Sequence, residues 1–391
     1  SSVVRLGGDI ELVKSLVASG FPVLLEKGTF LRDLAGEVSW MGHYQLVTGY
    51  DEAKGILIVQ DTYVGADHEM SYEDITTGWR AWIRDRDPTG FFAQFVAIGL
   101  AMVVSIPLIA SHEELGGAIA PLSVSLLIGA FVFGAAMQVA DGCGSGTLYK
   151  AGLGNGFSLA VLPGFVFGSF LGAAHLDSWM ALGSLPPVSL PEQLGAAPAL
   201  LLQLAAFGLL ALYFWKKRGP RIDTRWKGRA VYIGAIVMAA FAVLNLLVAG
   251  QPWGVVYGLG LWGAKVVSWL GVDLTANAFW GREAQQAHIQ SSLLTDVTSI
   301  TNLGLLVGAL LAANVRGTAC PQTRANPRQW IAAVVAGLLL GYSSRLAFGC
   351  NVGAYFSGIS TGSAHGWVWF AMAFLGSMLG VRVRERLGLK A

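Results

Sequence analysis

Long apolar runs separated by short polar breaks occupy the chain after residue 88. Most runs hold about 20 residues, the length that a helix needs to cross the hydrocarbon core of a bilayer. The predicted spans are 91–111, 121–140, 157–176, 197–215, 230–250, 253–271, 299–315, 329–349 and 366–383. The break after the second run is short, so 157–176 is either a full span or half of a re-entrant pair.

Composition supports a division into two parts. Of the 391 residues, 54% are hydrophobic and 13% are charged, and soluble domains carry about twice that charged fraction. Residues 1–88 hold 14 of the 24 acidic residues, which leaves 10 for the other 303. The first part therefore predicts a soluble segment, and 89–391 predicts an all-α polytopic membrane domain. The net charge of +2 gives no indication of nucleic acid binding, and three distant cysteines form no metal-site spacing or disulfide framework.

Four basic segments predict the orientation of the membrane domain. They are WRAWIRDRDP (79–88), KKRGPRIDTRWKGR (216–229), RGTACPQTRANPR (316–328) and the tail RVRERLGLK (382–390). The positive-inside rule places all four on the cytoplasmic side. Three apolar runs then lie between two cytoplasmic loops, so one of them, with 253–271 as the first candidate, must be re-entrant, lie flat or not be a span.

An internal repeat is centred on two cysteines that lie in glycine-rich breaks. The breaks read DGCGSGTLYKAGLGNG from Asp141 and FGCNVGAYFSGISTGSAHG from Phe348. Counted from Cys143 and Cys350, several glycines coincide: Gly134 with Gly341, Gly142 with Gly349, Gly146 with Gly353, and GSFLG (168–172) with GSMLG (376–380). The predicted orientation inverts one repeat relative to the other. Inverted repeats with broken helices are a common plan of transporters, whose site lies where the breaks converge.

The residue types at the breaks favour a sulfur-bearing anion. Helix starts after a glycine break present backbone N–H groups to an anion, and a thiol is a weak donor and a soft, polarizable contact. Five residues before each cysteine lies a polar residue, Gln138 or Arg345. An arginine inside a membrane is a functional candidate, although Arg345 could equally serve an ion pair and Gln138 an interhelical hydrogen bond. Lys150 is expected to contact lipid headgroups, with attraction of anions to the inner mouth as the alternative. The candidate binding residues are Cys143, Cys350, Gly142, Gly144, Gly349, Asn351, Gln138 and Arg345.

At these residues the sequence resembles the YeeE/YedE family of sulfur-compound transporters, whose known members take up thiosulfate. The stretches that carry the resemblance are GAAMQVADGCGSGTLYKAGLGN, SLLTDVTSITNLGLLVGALLA and GYSSRLAFGCNVGAYFSGISTGSAHGWVWF, within about 90–391. The resemblance implies a bacterial inner-membrane protein in which Cys143 and Cys350 contact the passing ion in turn, without covalent change. It implies no cofactor and no metal, and we expect a cytoplasmic sulfur-carrier protein as a partner, with membrane lipid around the helices.

One family feature is missing. Family members begin with a span that carries a further Arg-Phe-Cys-Phe-like motif, and no such motif precedes Cys143 here. Either the first helix and its thiol were lost, or the gene was truncated and fused.

The leading segment resembles another family, the C-terminal part of a C39-like, papain-type cysteine peptidase domain. The stretch GHYQLVTGYDEAKGILIVQDTY carries the resemblance, with His43 as general base and Asp61 as its orienting acid. Residues 1–88 contain no cysteine to act as nucleophile, so we expect a small α/β fragment that is vestigial as a peptidase.

Two alternatives to a transporter remain at this point. One is a membrane-anchored C39-like peptidase whose nucleophile is absent from this sequence. The other is a membrane thiol oxidoreductase in which Cys143 and Cys350 form a disulfide, which requires their Cα atoms to lie within about 7 Å.

Overall fold

The computed structural model describes residues 79–389, apart from residues 81, 85, 220–224 and 317–324, and five strands earlier in the chain. The chain divides into two compact units, one that contains these strands and one that contains the helices over 79–219 and from 234 onward. The predicted peptidase-like residues His43 and Asp61 lie outside the described residues.

The five early strands form one sheet. They are β1 (Val23–Glu26), β2 (Leu31–Asp33), β3 (Val38–Ser39), β4 (Tyr44–Asp51) and β5 (Ile56–Gln60). Their order in the sheet is β1-β4-β5-β2-β3, and only the β2–β5 pair is parallel. The central pair, β4 and β5, is antiparallel.

Helices and one short strand pair make up the described residues from 79 onward. The longer helices are α1 (Thr89–Ser111), α2 (Val124–Val139), α3 (Gly144–Gly152), α4 (Gly156–Ala174), α7 (Ala196–Lys216), α8 (Arg225–Ala249), α9 (Val256–Trp269), α10 (Glu283–Gln290), α11 (Val297–Arg316), α12 (Pro327–Leu346) and α14 (Ala364–Arg386). The shorter elements are β6 (Pro121–Ser123), α5 (Leu176–Met180), β7 (Ser184–Pro187), α6 (Leu190–Leu194), a π-helix (Asn351–Phe356) and α13 (Ser357–Ser360).

Eight helical segments in the described part of the chain are long and apolar enough to cross a membrane. Among them is Gly156–Ala174, so α4 is a full span. The candidate span 253–271 is wrong as a crossing. Its helix α9 has 14 residues, about 21 Å at 1.5 Å per residue, which is shorter than a hydrocarbon core of about 30 Å. Without this crossing, two spans lie between the basic segments 216–229 and 316–328, so both segments can face the cytoplasm as predicted.

The crossing helices differ in how deeply they are packed. Inside the protein, 61% of the Val124–Gly152 window is buried, whereas only 22% of the α7 window is. Helices α7 and α8 expose large apolar side chains such as Leu209, Phe241 and Val248. This pattern indicates that α2, α4 and α12 lie in the centre of the protein, whereas α7 and α8 face lipid.

The helices that flank the cysteine breaks form two parallel pairs. In the pair of α2 with α14, a Cβ added at Gly376 would lie 1.9 Å from the carbonyl oxygen of Phe131. One turn further along both helices, a Cβ at Gly380 would lie 2.3 Å from the carbonyl oxygen of Ala135. Only glycine permits backbones to approach so closely, which is how small-xxx-small faces pack helices in membranes.

The pair of α4 with α12 repeats these contacts at equivalent positions. A Cβ at Gly168 would lie 2.2 Å from the carbonyl oxygen of Leu338, and one at Gly172 would lie 2.5 Å from that of Tyr342. Leu338 lies twelve residues before its cysteine, as Phe131 does before Cys143. The GSFLG and GSMLG motifs therefore perform the same packing role in both halves.

The equivalent first helices of the two repeats, α2 and α12, run antiparallel. The start of α2 meets the end of α12, where Ser125 Oγ donates a hydrogen bond of 2.9 Å to the carbonyl oxygen of Leu346. A Cβ at Gly129 would lie 2.8 Å from the backbone nitrogen of Ala347. This direction confirms the inverted-repeat architecture.

The basic segments that the structure describes meet at one end of the helices, named here the basic end. Three contacts join them: Gly219 N to Arg86 O at 3.1 Å, Arg84 Nε to Glu385 Oε1 at 3.8 Å, and Gln329 Nε2 to Gly388 O at 3.0 Å. The end of α14 also reaches the end of α2, where Arg384 Nη1 donates to the carbonyl oxygen of Gln138. The Cys143 break therefore lies toward the basic end and the Cys350 break toward the opposite end.

Candidate functional site

Cys143 and Cys350 are each a single extended residue between two helices. Cys143 has φ −83° and ψ −166°, and Cys350 has φ −103° and ψ −165°. The two breaks thus have nearly the same backbone conformation, although they belong to repeats of opposite direction.

The approach to each cysteine is also the same. Two residues earlier the chain adopts the left-handed conformation, at Asp141 with φ 61° and at Phe348 with φ 58°. Gly142 N then donates to Met137 O at 3.1 Å, and Gly349 N donates to Ser344 O at 2.8 Å. This six-residue hydrogen bond after a left-handed residue is the Schellman ending of a helix. It stops α2 and α12 sharply, in front of the thiols.

In both repeats the chain returns to helix directly after the cysteine. Thr147 N donates to Cys143 O and Ala354 N donates to Cys350 O, each at 2.9 Å. Gly144 begins α3 and Asn351 begins the π-helix. The glycine-rich stretch is therefore mostly helical, and the break is shorter than the sequence predicts. The first N–H groups of each new helix have no partner within that helix.

Both thiols are free and fully buried. Cys143 Sγ lies 3.3 Å from Ser145 Oγ. The disulfide that an oxidoreductase would need is not formed between them.

A segment that joins α8 to α9 contacts both breaks. A Cβ at Gly353 would lie 3.9 Å from Gly254 Cα, and a Cβ at Gly144 would lie 3.3 Å from Val255 Cγ1. Residues 253–256, named here the central segment, have their carbonyl groups held from three other elements. The bonds are Ser357 Oγ to Trp253 O at 2.8 Å, Asn302 Nδ2 to Val255 O at 2.9 Å and Ser169 Oγ to Val256 O at 3.0 Å.

The two breaks also carry buried polar groups that the protein leaves without partners. The Asn351 side chain is fully buried, and neither Nδ2 nor Oδ1 has a hydrogen-bond partner. Thr147 Oγ1, one turn after Cys143, is buried and likewise unpartnered. An unsatisfied buried polar group costs about 1–3 kcal/mol, so these positions fit a site that a polar solute visits.

Arg345 lies at the Cys350 end over two aromatic rings. Its Cζ is 5.1 Å from the ring centre of Phe279 and 5.7 Å from that of Tyr257, and its Nε is buried without a partner. Tyr257 Oη donates to Gln285 Oε1 at 2.6 Å. Burial and the Asp296 carboxylate raise the pKa of Tyr257 to about 12, so this hydroxyl stays protonated. A cavity of about 410 Å³ adjoins Tyr257 and is also lined by His288 and Asp296.

Gln138 occupies the equivalent position at the Cys143 end but has different surroundings. Its Oε1 accepts from Arg80 Nε at 3.2 Å, and its carbonyl oxygen accepts from Arg384 Nη1 at 2.9 Å. Gln138 therefore ties α2 to the residues before α1 and to α14, the hydrogen-bonding role that the sequence analysis left open.

Three cations converge on Asp141 beside Gln138. Its carboxylate lies 2.8 Å from Arg80 Nη2, 2.6 Å from Lys150 Nζ and 3.1 Å from Arg384 Nη2. The expectation that Lys150 contacts lipid headgroups is wrong, because its side chain is buried against Asp141. Arg80, Asp141 and Arg384 are not among the site residues predicted from the sequence.

Two protein-family models match the chain. The model described as Sulphur transport matches residues 75–379. The model described as Peptidase_C39 like family matches residues 2–87. These matches confirm both resemblances that the sequence analysis states.

Among curated proteins, the chain is similar to two proteins named Probable transporter YedE, from Escherichia coli (strain K12) and Salmonella typhimurium. Each is 32% identical over 139 residues, which is 34% of this chain and 33% of the relative. It is also similar to Thiosulfate transporter TsuA of Spirochaeta thermophila, at 26% identity over 276 residues, which is 65% of this chain and 76% of that protein. The chain thus spans about a third of the length of the YedE relatives.

Proposed function

Because the chain belongs to the sulphur transport family, we propose that it is a membrane transporter for thiosulfate or a similar small sulfur-containing anion. One observation carries the proposal. Two fully buried, free thiols occupy equivalent extended residues in two inverted repeats. The name of the TsuA relative indicates thiosulfate as the solute of that protein.

The polar groups of the breaks supply a sequence of weak contacts. At the Cys350 end, Arg345 attracts the anion, and the unpartnered Asn351 amide and the N–H groups that open the π-helix receive it. Cys350 and then Cys143 donate weak S–H hydrogen bonds to it, alongside the N–H groups that open α3. Gly142, Gly144 and Gly349 keep side chains out of this route. Several weak sites in succession allow an ion both to bind and to leave.

The protein is a multi-pass membrane protein, and we place it in a bacterial inner membrane with the basic end in the cytoplasm. An even number of crossings puts residues 79–88 and the end of the chain on the same side, as their contacts require. The solute would then meet Cys350 first and Cys143 second. A cytoplasmic sulfur-carrier protein is the partner that would receive it. We assign no catalytic part to residues 1–88, because they hold no cysteine nucleophile for His43 and Asp61.

Uptake of radiolabelled thiosulfate by cells that lack their own route tests this function. We expect uptake by the parent chain and its loss in Cys143→Ala and in Cys350→Ala. Cys320→Ala changes the third cysteine and is the matched control, with parental uptake expected. Equal amounts of each protein in the membrane fraction must be verified by immunoblot. A correctly inserted parent that takes up no thiosulfate, or cysteine variants that transport as well as the parent, would refute the proposal.

A further inference from the structure

The polar cavity at the Cys350 end contains a histidine and a carboxylate that the transport route described above does not use. The cavity of about 410 Å³ is lined by His288 of α10 and by Asp296, which directly precedes α11. Tyr257 lines the same cavity, and the Arg345 guanidinium lies over its ring. His288 and Asp296 are therefore one side chain away from the arginine to which the route assigns capture of the anion.

The Asp296 carboxylate has one oxygen fixed by α11 and one beside the histidine. Its Oδ2 accepts from Thr298 Oγ1 and from Ser299 N, both at 2.7 Å. The start of a helix stabilises a negative charge in this place. The Asp296 side chain is only 7% exposed, and its Oδ1 lies 4.0 Å from His288 Nδ1. A positive charge on His288 would therefore be attracted by this oxygen.

The hydrogen bonds of Tyr257 determine which nitrogen of His288 can bind a further proton. Tyr257 Oη donates its single hydrogen to Gln285 Oε1 at 2.6 Å. Toward His288 Nδ1, at 3.1 Å, the same oxygen can then only accept. Nδ1 therefore already carries a hydrogen, and Nε2 is the atom at which a proton is gained or lost. The His288 side chain is 47% exposed, so protons from solution reach it.

The charged and titratable groups around His288 come from three other elements in the described part of the chain. Helix α9 contributes Tyr257 and Lys265, whose Nζ donates to the carbonyl oxygen of His288 at 2.7 Å. Asp296 precedes α11, and Arg345 comes from α12. Arg345 Cζ and the His288 ring centre each lie 5.7 Å from the centre of the Tyr257 ring, so twice that distance is the most that separates them. Lys265 and Arg345 oppose a positive charge on the histidine, and Asp296 favours it.

We propose that His288, held between Asp296 and Tyr257, is the binding site of a proton that is captured together with the anion at Arg345. This inference rests on the proposed function for the identity of the anion as thiosulfate and for its entry at the Cys350 end. A dianion beside Arg345 offsets the repulsion from the arginine and attracts the imidazolium, so Nε2 binds a proton from the outer solution more tightly. By linkage, the protonated ring raises the affinity for the dianion by the same factor.

A sodium ion is the other cation that a carboxylate could bind in this cavity. His288 and Asp296 fit it less well, because the nitrogen that lies beside Asp296 Oδ1 already carries a hydrogen and cannot coordinate a metal ion. A proton on the opposite nitrogen, Nε2, meets no such obstacle.

Calorimetric titration of the purified full-length protein with sodium thiosulfate tests this inference. It is performed at about pH 5.5 and about pH 8, the range in which histidine changes its charge, whereas thiosulfate stays a dianion throughout. Titrations in two buffers of different ionisation enthalpy give the number of protons that are bound with the anion. For the parent we expect about tenfold tighter binding at the lower pH and uptake of a proton at pH values between the two.

The decisive variant is His288→Gln, because glutamine keeps an N–H donor for Tyr257 and cannot become charged. It should bind thiosulfate with the same affinity at both pH values and take up no proton. Asp296→Asn keeps an acceptor at the start of α11 and removes the charge that attracts the imidazolium, so its tighter binding should require a lower pH than in the parent.

His112→Gln is the matched control. His112 is exposed at the end of α1, and its Nδ1 lies 2.9 Å from Ser111 Oγ and 3.1 Å from Leu108 O of the same helix. This variant should retain the pH dependence and the proton uptake of the parent.

The inference is overturned if the parent binds thiosulfate equally at both pH values, if it binds without proton uptake, or if His288→Gln keeps the pH dependence. Binding that requires sodium and is independent of pH would also overturn it. The proton count of the parent needs no variant, and Asp296→Asn locates the proton should His288→Gln fail to fold. If cells take up thiosulfate but no proton binds with it, the site is wrong and the transporter stands. If proton and anion bind together but cells take up no thiosulfate, the site stands and the proposed function fails.

Discussion

The two cysteine breaks have the same backbone but different polar surroundings. Both end a helix with a left-handed residue, place an extended cysteine next and return to helix at once. At the Cys143 end, four charged groups and Gln138 are joined in one network. At the Cys350 end, Arg345 stacks on aromatic rings and the Asn351 amide has no partner.

The comparison shows that the two repeats share the backbone path around the cysteine and differ in the polar side chains beside it. Glycines and Schellman hydrogen bonds determine the path of the chain, and both halves retain them. The polar side chains, which in the proposed route determine how strongly each end binds the anion, differ between the halves. A transporter needs such asymmetry when the same solute must be captured at one end and released at the other.

The largest expected effect on stability comes from the glycine contacts that pack the helix pairs in both halves. Gly168→Ala and Gly376→Ala would each bring a Cβ within about 2 Å of a carbonyl oxygen on the partner helix, so both helix pairs must separate. We expect each variant to lose about 3 kcal/mol of folding free energy and to be recovered poorly. The measurement is melting temperature and yield after size-exclusion chromatography.

Gly208→Ala is the control for this pair, because no atom lies within 4 Å of a Cβ at Gly208 in α7. It should be tolerated. If only one of Gly168→Ala and Gly376→Ala were damaging, the two halves would not be equivalent in packing.

Much of this architecture is predictable from sequence. Paired glycines at equal distances from two cysteines reveal the repeat, and basic loops reveal its inversion, because both signals are local. The sequence does not predict the helix at 144–152, since glycine is a poor helix former and only tertiary packing overrides that preference. The sequence does not distinguish the central segment from a span, because its residues are apolar and adjoin an apolar run.

The charge cluster at Asp141 could not be predicted for a different reason. Arg80 and Arg384 are separated by about 300 residues, and each lies in a basic segment that alone indicates only the cytoplasmic side. Nothing in the sequence places them beside one carboxylate. Only the parallel packing of α2 with α14 brings Arg384 to the end of α2. The local sequence of Lys150, at the end of an apolar stretch, resembles that of residues which do contact headgroups.

A second prediction tests the polar surroundings of the cysteines, which differ between the repeats. It concerns Asn351, whose equivalent in the other repeat is Gly144. Asn351→Leu keeps the number and branching of the side-chain heavy atoms and removes a buried amide that has no partner. We expect the folded protein to gain about 1–2 kcal/mol and thiosulfate uptake to fall strongly, because the anion loses a polar contact beside Cys350.

Melting temperature and uptake of the Asn351→Leu variant are measured together, with Asn314→Leu as the control. Asn314 is exposed on α11 and donates only to a carbonyl of its own helix, so its uptake should not change. A variant of Asn351 that transports normally would show that the amide has no part in the route.

The smallest expected effect compares the serines of the two packing motifs. Ser169 Oγ donates a hydrogen bond of 3.0 Å to Val256 O in the central segment. Ser377 Oγ instead donates hydrogen bonds to Gly134 O and Ala373 O within the α2–α14 pair. Ser169→Ala removes a hydrogen bond that joins α4 to the first residue of α9 and should cost about 1 kcal/mol. Ser377→Ala should cost less, because the α2–α14 pair is also held by the close backbone packing at Gly376 and Gly380. Melting temperatures of the two purified variants give the comparison directly. Equal losses would mean that the bond from Ser169 does not hold the central segment in place, and that the two halves are more alike around their thiols than their side chains indicate.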